Sequence, residues 1–162
     1  DAALYYMARM LEAGDDPLFL TRRMIIFAAE DVGNADPRAL SVAVEADRAF
    51  RVLGMPEGRI VLGQACTYLA TAPKSNASYK AIDAALDAVR STGSLPVPDA
   101  LKGRPLKEDS EYLYPHDHGG HVKQEYLPKR LQGARFYEPS GAGYERHILG
   151  RLSQWRGEGE ST

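Results

Sequence analysis

The feature that most constrains the fold of this chain is the spacing of apolar residues over positions 1–90, which has the period of an α-helix and is interrupted by glycine and proline. Apolar side chains recur every three or four positions, as they do along one face of an α-helix. Asp16-Pro17 and Asp36-Pro37 each have the form of an N-cap followed by a proline in the first helical turn. The pattern predicts five helices joined by short loops.

Glycine and proline also set the predicted ends of these helices. The first should end at Gly14, the second at Gly33 and the third at Gly54, whereas the fourth should run from about Pro56 to Ala72. The apolar face of the third helix is predicted to be Leu40, Ala43 and Val44, and that of the fifth is predicted to be Ala81, Ile82, Ala85, Leu86 and Val89. Short loops place successive helices antiparallel, so we expect an all-α fold of stacked helical hairpins.

The composition changes after this helical core of residues 1–91. Residues 94–143 are rich in proline and glycine, but tyrosine and phenylalanine are interleaved, which favours an irregular segment pinned by aromatic contacts over a disordered linker. A last helix is predicted from about residue 140 to 156. One apolar face of it carries Tyr144, Ile148, Leu152 and Trp155. With 162 residues, of which 44% are hydrophobic, the chain is expected to form a single domain.

Charge and cysteine content exclude several classes of protein. The formal net charge of −2 lacks the excess of Lys and Arg that coats nucleic acid or anionic membrane. Cys66 is the single cysteine, so no internal disulfide is possible.

The sequence has neither a long apolar run nor a signal-peptide pattern, and we expect a cytoplasmic protein. Because it starts at Asp1, inside a predicted helix, we also expect a domain of a longer protein.

No catalytic site is predicted. Lys74-Ser75 resembles the end of a phosphate-binding loop, but no glycine precedes it, so a helix break and cap is the better interpretation. The loop His116-Asp117-His118-Gly119-Gly120-His121 could hold a metal ion. It lacks partner ligands on a second element, and we interpret it as an ordinary polar loop with no metal. We therefore expect this chain to have no enzymatic activity and no cofactor of its own.

Two groups of residues are candidates for contacts with other molecules. Arg22, Arg23, Lys74 and Lys80 could bind phosphates, although solvated surface charges are the default interpretation. Tyr144, Ile148, Leu152 and Trp155 could form a subunit interface or an ordinary core face. For each of the two groups, the sequence is compatible with both interpretations.

Longer phrases of the sequence resemble one family. They are residues 8–17 (ARMLEAGDDP), 30–37 (EDVGNADP), 54–59 (GMPEGR), 68–76 (YLATAPKSN), 114–117 (YPHD), 126–128 (YLP) and 137–139 (YEP). These resemble the C-terminal domain of the RarA/MgsA family, bacterial relatives of the Werner-helicase-interacting proteins. The family carries a longer segment between the Pro96–Pro98 turn and the YPHD phrase, so between Leu101 and Leu113 this chain either has a shorter loop or lacks part of that segment.

The resemblance implies a function that composition alone does not. It implies a helical domain similar to the clamp-loader collar, which follows an AAA+ module that is absent from this chain and binds ATP and magnesium. The parent would be a DNA-dependent ATPase acting in replication, recombination and repair at stalled forks, associated with the nucleoid. The domain would form homo-oligomers, expected to be tetramers, and dock replication proteins such as single-stranded-DNA-binding protein. The alternative is a helical module that contacts DNA itself through Arg22, Arg23, Lys74 and Lys80.

Overall fold

The predicted all-helical architecture is confirmed. In the computed structural model, which describes residues 1–98, 101–102 and 113–157, every regular element is a helix. The α-helices are α1 (Ala2–Glu12), α2 (Pro17–Phe27), α3 (Arg38–Leu53), α4 (Gly58–Thr71), α5 (Ala77–Thr92) and α6 (Glu145–Arg156). Residues 103–112, which make up much of the stretch where the match to the family phrases is interrupted, lie outside the described residues.

Helices α1 to α4 enclose the core. One cluster of buried side chains comprises Met7, Leu20, Phe50, Leu62 and Cys66, and a second comprises Ala28, Val32, Ala39, Ala43 and Leu69. Met24 packs against both clusters and so links them. The most extensive helix pair is α3 with α4, which a short turn connects, as predicted for a helical hairpin.

The predicted face of α3 is wrong in one respect. Leu40 is exposed, whereas Ala39, Ala43, Ala46 and Phe50 are buried. Alanine lets helix axes approach closely, so close packing of α3 on α4 and α2 selects the small residues. A ranking by hydrophobicity favoured leucine instead.

The second helix does not continue as an α-helix to Gly33. It changes to a π turn at Ala28–Val32 and then to a 3₁₀ turn at Gly33–Ala35. An uninterrupted α-helix would use the Asp31 carbonyl internally, four residues on. Here that oxygen accepts a hydrogen bond from the Ser75 N–H at 2.8 Å, so the irregular turns serve a long-range contact.

Both predicted aspartate caps bind a backbone amide. Asp16 Oδ1 accepts from the Leu18 N–H at 2.9 Å, and Asp36 Oδ1 accepts from the Arg38 N–H at 3.1 Å. Helix α3 begins at Arg38, one residue later than the Asp36-Pro37 pattern predicts. At α5 it is Ser75 whose Oγ accepts from the Ala77 N–H, at 3.2 Å.

The described part of residues 94–143 is irregular, as predicted, with short 3₁₀ turns at Pro115–His118 and Lys129–Leu131. Aromatic anchoring is present: the His121 ring stacks on Trp155 of α6, with centroids 4.8 Å apart. Helix α6 starts at Glu145 rather than near residue 140, because Gly141 and Gly143 adopt positive φ and form a turn before it.

Candidate functional site

One prominent surface feature is the outer face of α5. The large apolar side chains Tyr79, Ile82, Leu86 and Val89 are 46%, 56%, 42% and 58% exposed. They are spaced three, four and three residues apart, so they form one continuous stripe along the helix. We call this set the α5 stripe. It differs from an ordinary amphipathic helix, in which such residues face the core.

The residues of α5 that face inward are small. Ala77 is buried, and Ala81, Ala85 and Ala88 are half-buried. The sequence-based prediction placed Ala81 and Ala85 on one face with Ile82, Leu86 and Val89; this is wrong, because the structure separates the alanines from the larger residues. Periodicity alone could not distinguish the two faces, since apolar residues occupy both.

The position of α5 is fixed at its first turn. Besides the bond from Ser75 N–H to the Asp31 carbonyl, the Asn34 amide donates to Ser78 Oγ at 3.1 Å. Gly33 is necessary here, because a Cβ at this position would lie 2.7 Å from the Ser75 carbonyl oxygen. The orientation of the stripe therefore depends on the irregular turns that follow α2.

A second polar junction holds the start of α6. Glu145 is fully buried, and its carboxylate accepts hydrogen bonds from the Ser140 N–H and hydroxyl, both at 2.7 Å, and from the Tyr137 hydroxyl at 3.0 Å. The Tyr137 hydroxyl also accepts from the Asn34 amide at 3.1 Å. Burial raises the pKa of Glu145, but the hydrogen bonds from Ser140, Ser75 and Tyr137 outweigh it and hold that pKa below its usual value. We call this set of contacts the Glu145 junction.

The predicted phosphate-binding residues are not gathered into one basic site. The Lys74 ammonium group donates to the carbonyls of Leu69 and Ala72 at the end of α4. Lys74 and Lys80 line the same cleft of about 360 Å³, but Asp31 and Glu138 line it too and offset their charge.

Arg22 and Arg23 lie elsewhere, on α2. The Arg22 guanidinium lies over the Phe19 ring, 5.4 Å from its centroid. Arg23 lies at an apolar groove of about 340 Å³ between α1, α2 and α4, whose lining includes Met7, Met10 and Met24.

Three of the predicted interface residues lie on α6 and Tyr144 directly precedes it, but the four differ in exposure. Tyr144 and Trp155 are exposed, whereas Ile148 and Leu152 are half-buried. Part of this face therefore packs within the domain and part remains at the surface.

The structure also shows a basic cleft that sequence reasoning missed. A cleft of about 710 Å³ lies between the start of α3 and the start of α6, and Arg38, Arg146, His147 and Tyr144 line it. Asp36 lies in its wall: burial raises the pKa of Asp36, but hydrogen bonds from Tyr68 and Arg38 outweigh this and lower it. Arg38 and Arg146 are far apart in sequence, so no local motif could have indicated this site.

The histidine loop does not converge on a metal position. His116 lies against Tyr114, whereas His121 stacks on Trp155. Within the described ranges, no three His, Cys, Asp or Glu side chains come together as a metal-binding group. No helix in the same ranges is long and apolar enough to cross a membrane.

Together these features define an all-α domain with an uncovered apolar face on α5. Residues 1–156 match the family model for the C-terminal region of MgsA AAA+ ATPases, and the chain belongs to this family. The resemblance inferred from the sequence phrases is thus confirmed.

Relatives show the same relationship. The chain is 44% identical to the replication-associated recombination protein A of Coxiella burnetii, over 96% of this chain and 37% of that protein. It is 42% identical to the protein of the same name from Escherichia coli K12, over 98% and 37%. It is 35% identical to the ATPase WRNIP1 of Dictyostelium discoideum, over 85% and 17%. The chain thus spans little more than a third of these bacterial relatives.

Proposed function

We propose that this chain is the oligomerisation and partner-docking domain of an AAA+ ATPase that acts in DNA replication and recombination. The observation that carries the proposal is the exposed α5 stripe. An apolar face of this kind marks an interaction surface in a soluble protein. Family membership and the names of the relatives supply the context in which that interaction takes place.

In this proposal the catalytic parts lie outside the chain. The ATP and magnesium sites belong to an upstream AAA+ module, and contacts with replication proteins such as single-stranded-DNA-binding protein are made by the whole protein near the nucleoid. The chain assembles the subunits, as a clamp-loader collar does, and we expect a tetramer. A tetramer built from isologous contacts requires two kinds of contact, so the exposed part of the α6 face is a candidate for the second.

Light scattering behind a sizing column tests the assembly. At micromolar concentration, the chain should give a mass several times 17.8 kDa in both low and high salt, because apolar contacts respond little to ionic strength. Ile82→Glu should reduce that mass. Ala84→Glu, on an exposed position outside the α5 stripe, is the matched control and should not reduce it. A wild-type monomer in both salts would overturn the proposal.

A second candidate function, contact with single-stranded nucleic acid, is favoured by the basic cleft. Arg146 has no ion-pair partner among the described residues, and Arg38 is 81% exposed although it pairs with Asp36. The exposed Tyr144 ring beside these cations supplies a surface on which a base can stack while its phosphate meets an arginine.

Fluorescence anisotropy with a labelled oligothymidylate tests this second candidate. Arg146→Glu should weaken binding, whereas Arg151→Glu, a matched charge reversal on the same helix outside the cleft, should have little effect. Binding should fall steeply as salt rises. Equal effects of the two substitutions, or no binding at low salt, would refute a nucleic-acid site in this cleft.

A further inference from the structure

We propose that the α5 stripe binds the same stripe of a second copy, with the two helices antiparallel. This inference rests on the proposed assembly function and names its surface, partner and register. Alternating spacings of three and four residues match the a and d positions of a two-helix seam. Tyr79 and Leu86 then take one type of position, and Ile82 and Val89 take the other.

Antiparallel pairing gives this stripe a single self-consistent register. In antiparallel seams, each a residue packs beside a d residue of the other helix. Ile82 then lies against Leu86 of the second copy, and Tyr79 lies against Val89, with the two-fold axis passing between Ile82 and Leu86 on the stripe face. All four large residues are used in both copies, so no large apolar side chain of the stripe remains without a partner.

The charges beside the stripe fit this self-pairing. Asp83 and Arg90 flank the stripe on the edge away from the inward-facing alanines, at equivalent positions one heptad apart. Reversing one helix brings Arg90 of one copy towards Asp83 of the other, and symmetry makes this ion pair twice. In the single chain Arg90 bonds the exposed Asp87 at 2.9 Å, a surface pair that is readily exchanged.

A helix of this composition is suited to a copy of itself rather than to a strongly charged partner. Helix α5 carries Lys80 and Arg90 against Asp83 and Asp87, so its formal charge is balanced. A highly acidic or basic partner segment would gain little net attraction, whereas an antiparallel copy presents the complementary charge at each flank.

The attachment of α5 to the rest of the domain also favours the antiparallel arrangement. Its buried residue is Ala77, in the first turn, and the bonds to Asp31 and Asn34 lie at that same end. The helix has 16 residues and is therefore about 24 Å long. Antiparallel pairing places the two helical cores at opposite ends of the pair, whereas parallel pairing would bring them to the same end.

A charge-exchange experiment on the 162-residue chain tests the pairing, with association measured by analytical ultracentrifugation at low salt. Asp83→Arg and Arg90→Asp should each weaken association about tenfold, since each converts two attractive pairs into repulsive ones. An equimolar mixture of the two variants should recover association close to the wild-type level, because the hybrid pair restores both opposite-charge contacts. Lys80→Asp is the matched control, at a position turned away from the seam, and should associate like the wild type.

The outcomes separate this inference from the proposed function. If the wild type associates but the mixture of Asp83→Arg and Arg90→Asp associates no better than either variant alone, the antiparallel α5 pair is wrong while assembly stands. If Lys80→Asp weakens association as much as Arg90→Asp, the register is wrong. A wild-type monomer at every concentration overturns both proposals. Circular dichroism of each variant confirms that its helices are intact.

Discussion

Replacement of Glu145 should loosen the attachment of α6 more than any other single change in the junction. The carboxylate is fully buried and accepts hydrogen bonds from Ser140, Ser75 and the Tyr137 hydroxyl. Glu145→Ala leaves these donors without their acceptor and opens a space behind them. Glu145→Gln keeps the shape of the side chain and one acceptor oxygen but removes the charge.

The magnitudes follow from the kinds of bond lost. Leaving a buried donor without its acceptor costs about 1–3 kcal/mol. Glu145→Ala affects several donors at once, but the hydroxyls of Ser140 and Tyr137 can turn to other acceptors, so we expect a loss of about 3 kcal/mol. A hydrogen bond to a neutral acceptor is roughly half as strong as one to a charged acceptor, so Glu145→Gln should cost about 1–2 kcal/mol. The alanine value is a large share of the roughly 5–15 kcal/mol that stabilises a domain.

Trp155 makes the effect measurable because it is the only tryptophan and lies on α6. In urea, fluorescence of Trp155 reports on α6 and circular dichroism at 222 nm reports on all helices. The two transitions should coincide in the wild type, whereas in Glu145→Ala the fluorescence transition should come at lower urea. Coincident transitions, with a loss below about 0.5 kcal/mol, would refute the role assigned to the junction.

Further predictions concern the same junction, the cap of α3 and catalysis. Both Asp36 and Glu145 have a lowered pKa in the fold, so the stability that they contribute is present at neutral pH and lost as pH falls through the acidic range; urea midpoints should drop with pH, less so in Glu145→Gln. Asp36→Ala should cost about 2–3 kcal/mol in a urea melt, more than a simple cap, because the Tyr68 hydroxyl also loses its acceptor. Gly143→Ala should destabilise strongly, since its Cβ would overlap the Ala35 carbonyl, whereas Gly141→Ala meets no such overlap and should cost only about 1 kcal/mol in the same melt. A phosphate-release assay should detect no ATP hydrolysis by the chain alone, with or without DNA, because its sequence has no phosphate loop.

The sequence was sufficient to predict the helices and most of their ends. Periodic apolar residues and local stop signals are short-range properties, and they correctly indicated α1 to α5 and the irregular segment after them. The long phrases were sufficient to indicate the family. The end of α2 was missed, because the π and 3₁₀ turns depend on contacts with residues 75 and 144, which lie far along the chain.

The surfaces could not be predicted in the same way. Leucine and alanine both count as apolar, and only the packing of whole helices decides which of them faces inward, as Leu40 and Ile82 show. The basic cleft combines Arg38 with Arg146, which more than a hundred residues separate. Glu145 gave no signal, because a lone glutamate at a helix start is ordinarily interpreted as an exposed residue that favours the helix dipole.

Helix α5 is anchored by its first turn and extends about 24 Å from that anchor, which makes it a lever arm. A rotation of roughly 10° at the anchor would move the far end of such a rod by about 4 Å, roughly the rise of three helical residues. The bonds that anchor α5 run from Ser75 to Asp31 and from Asn34 to Ser78. The Asn34 amide also donates to the Tyr137 hydroxyl, so this anchor shares a residue with the Glu145 junction. Small rotations in those turns would therefore produce large displacements at the far end of the outer helix.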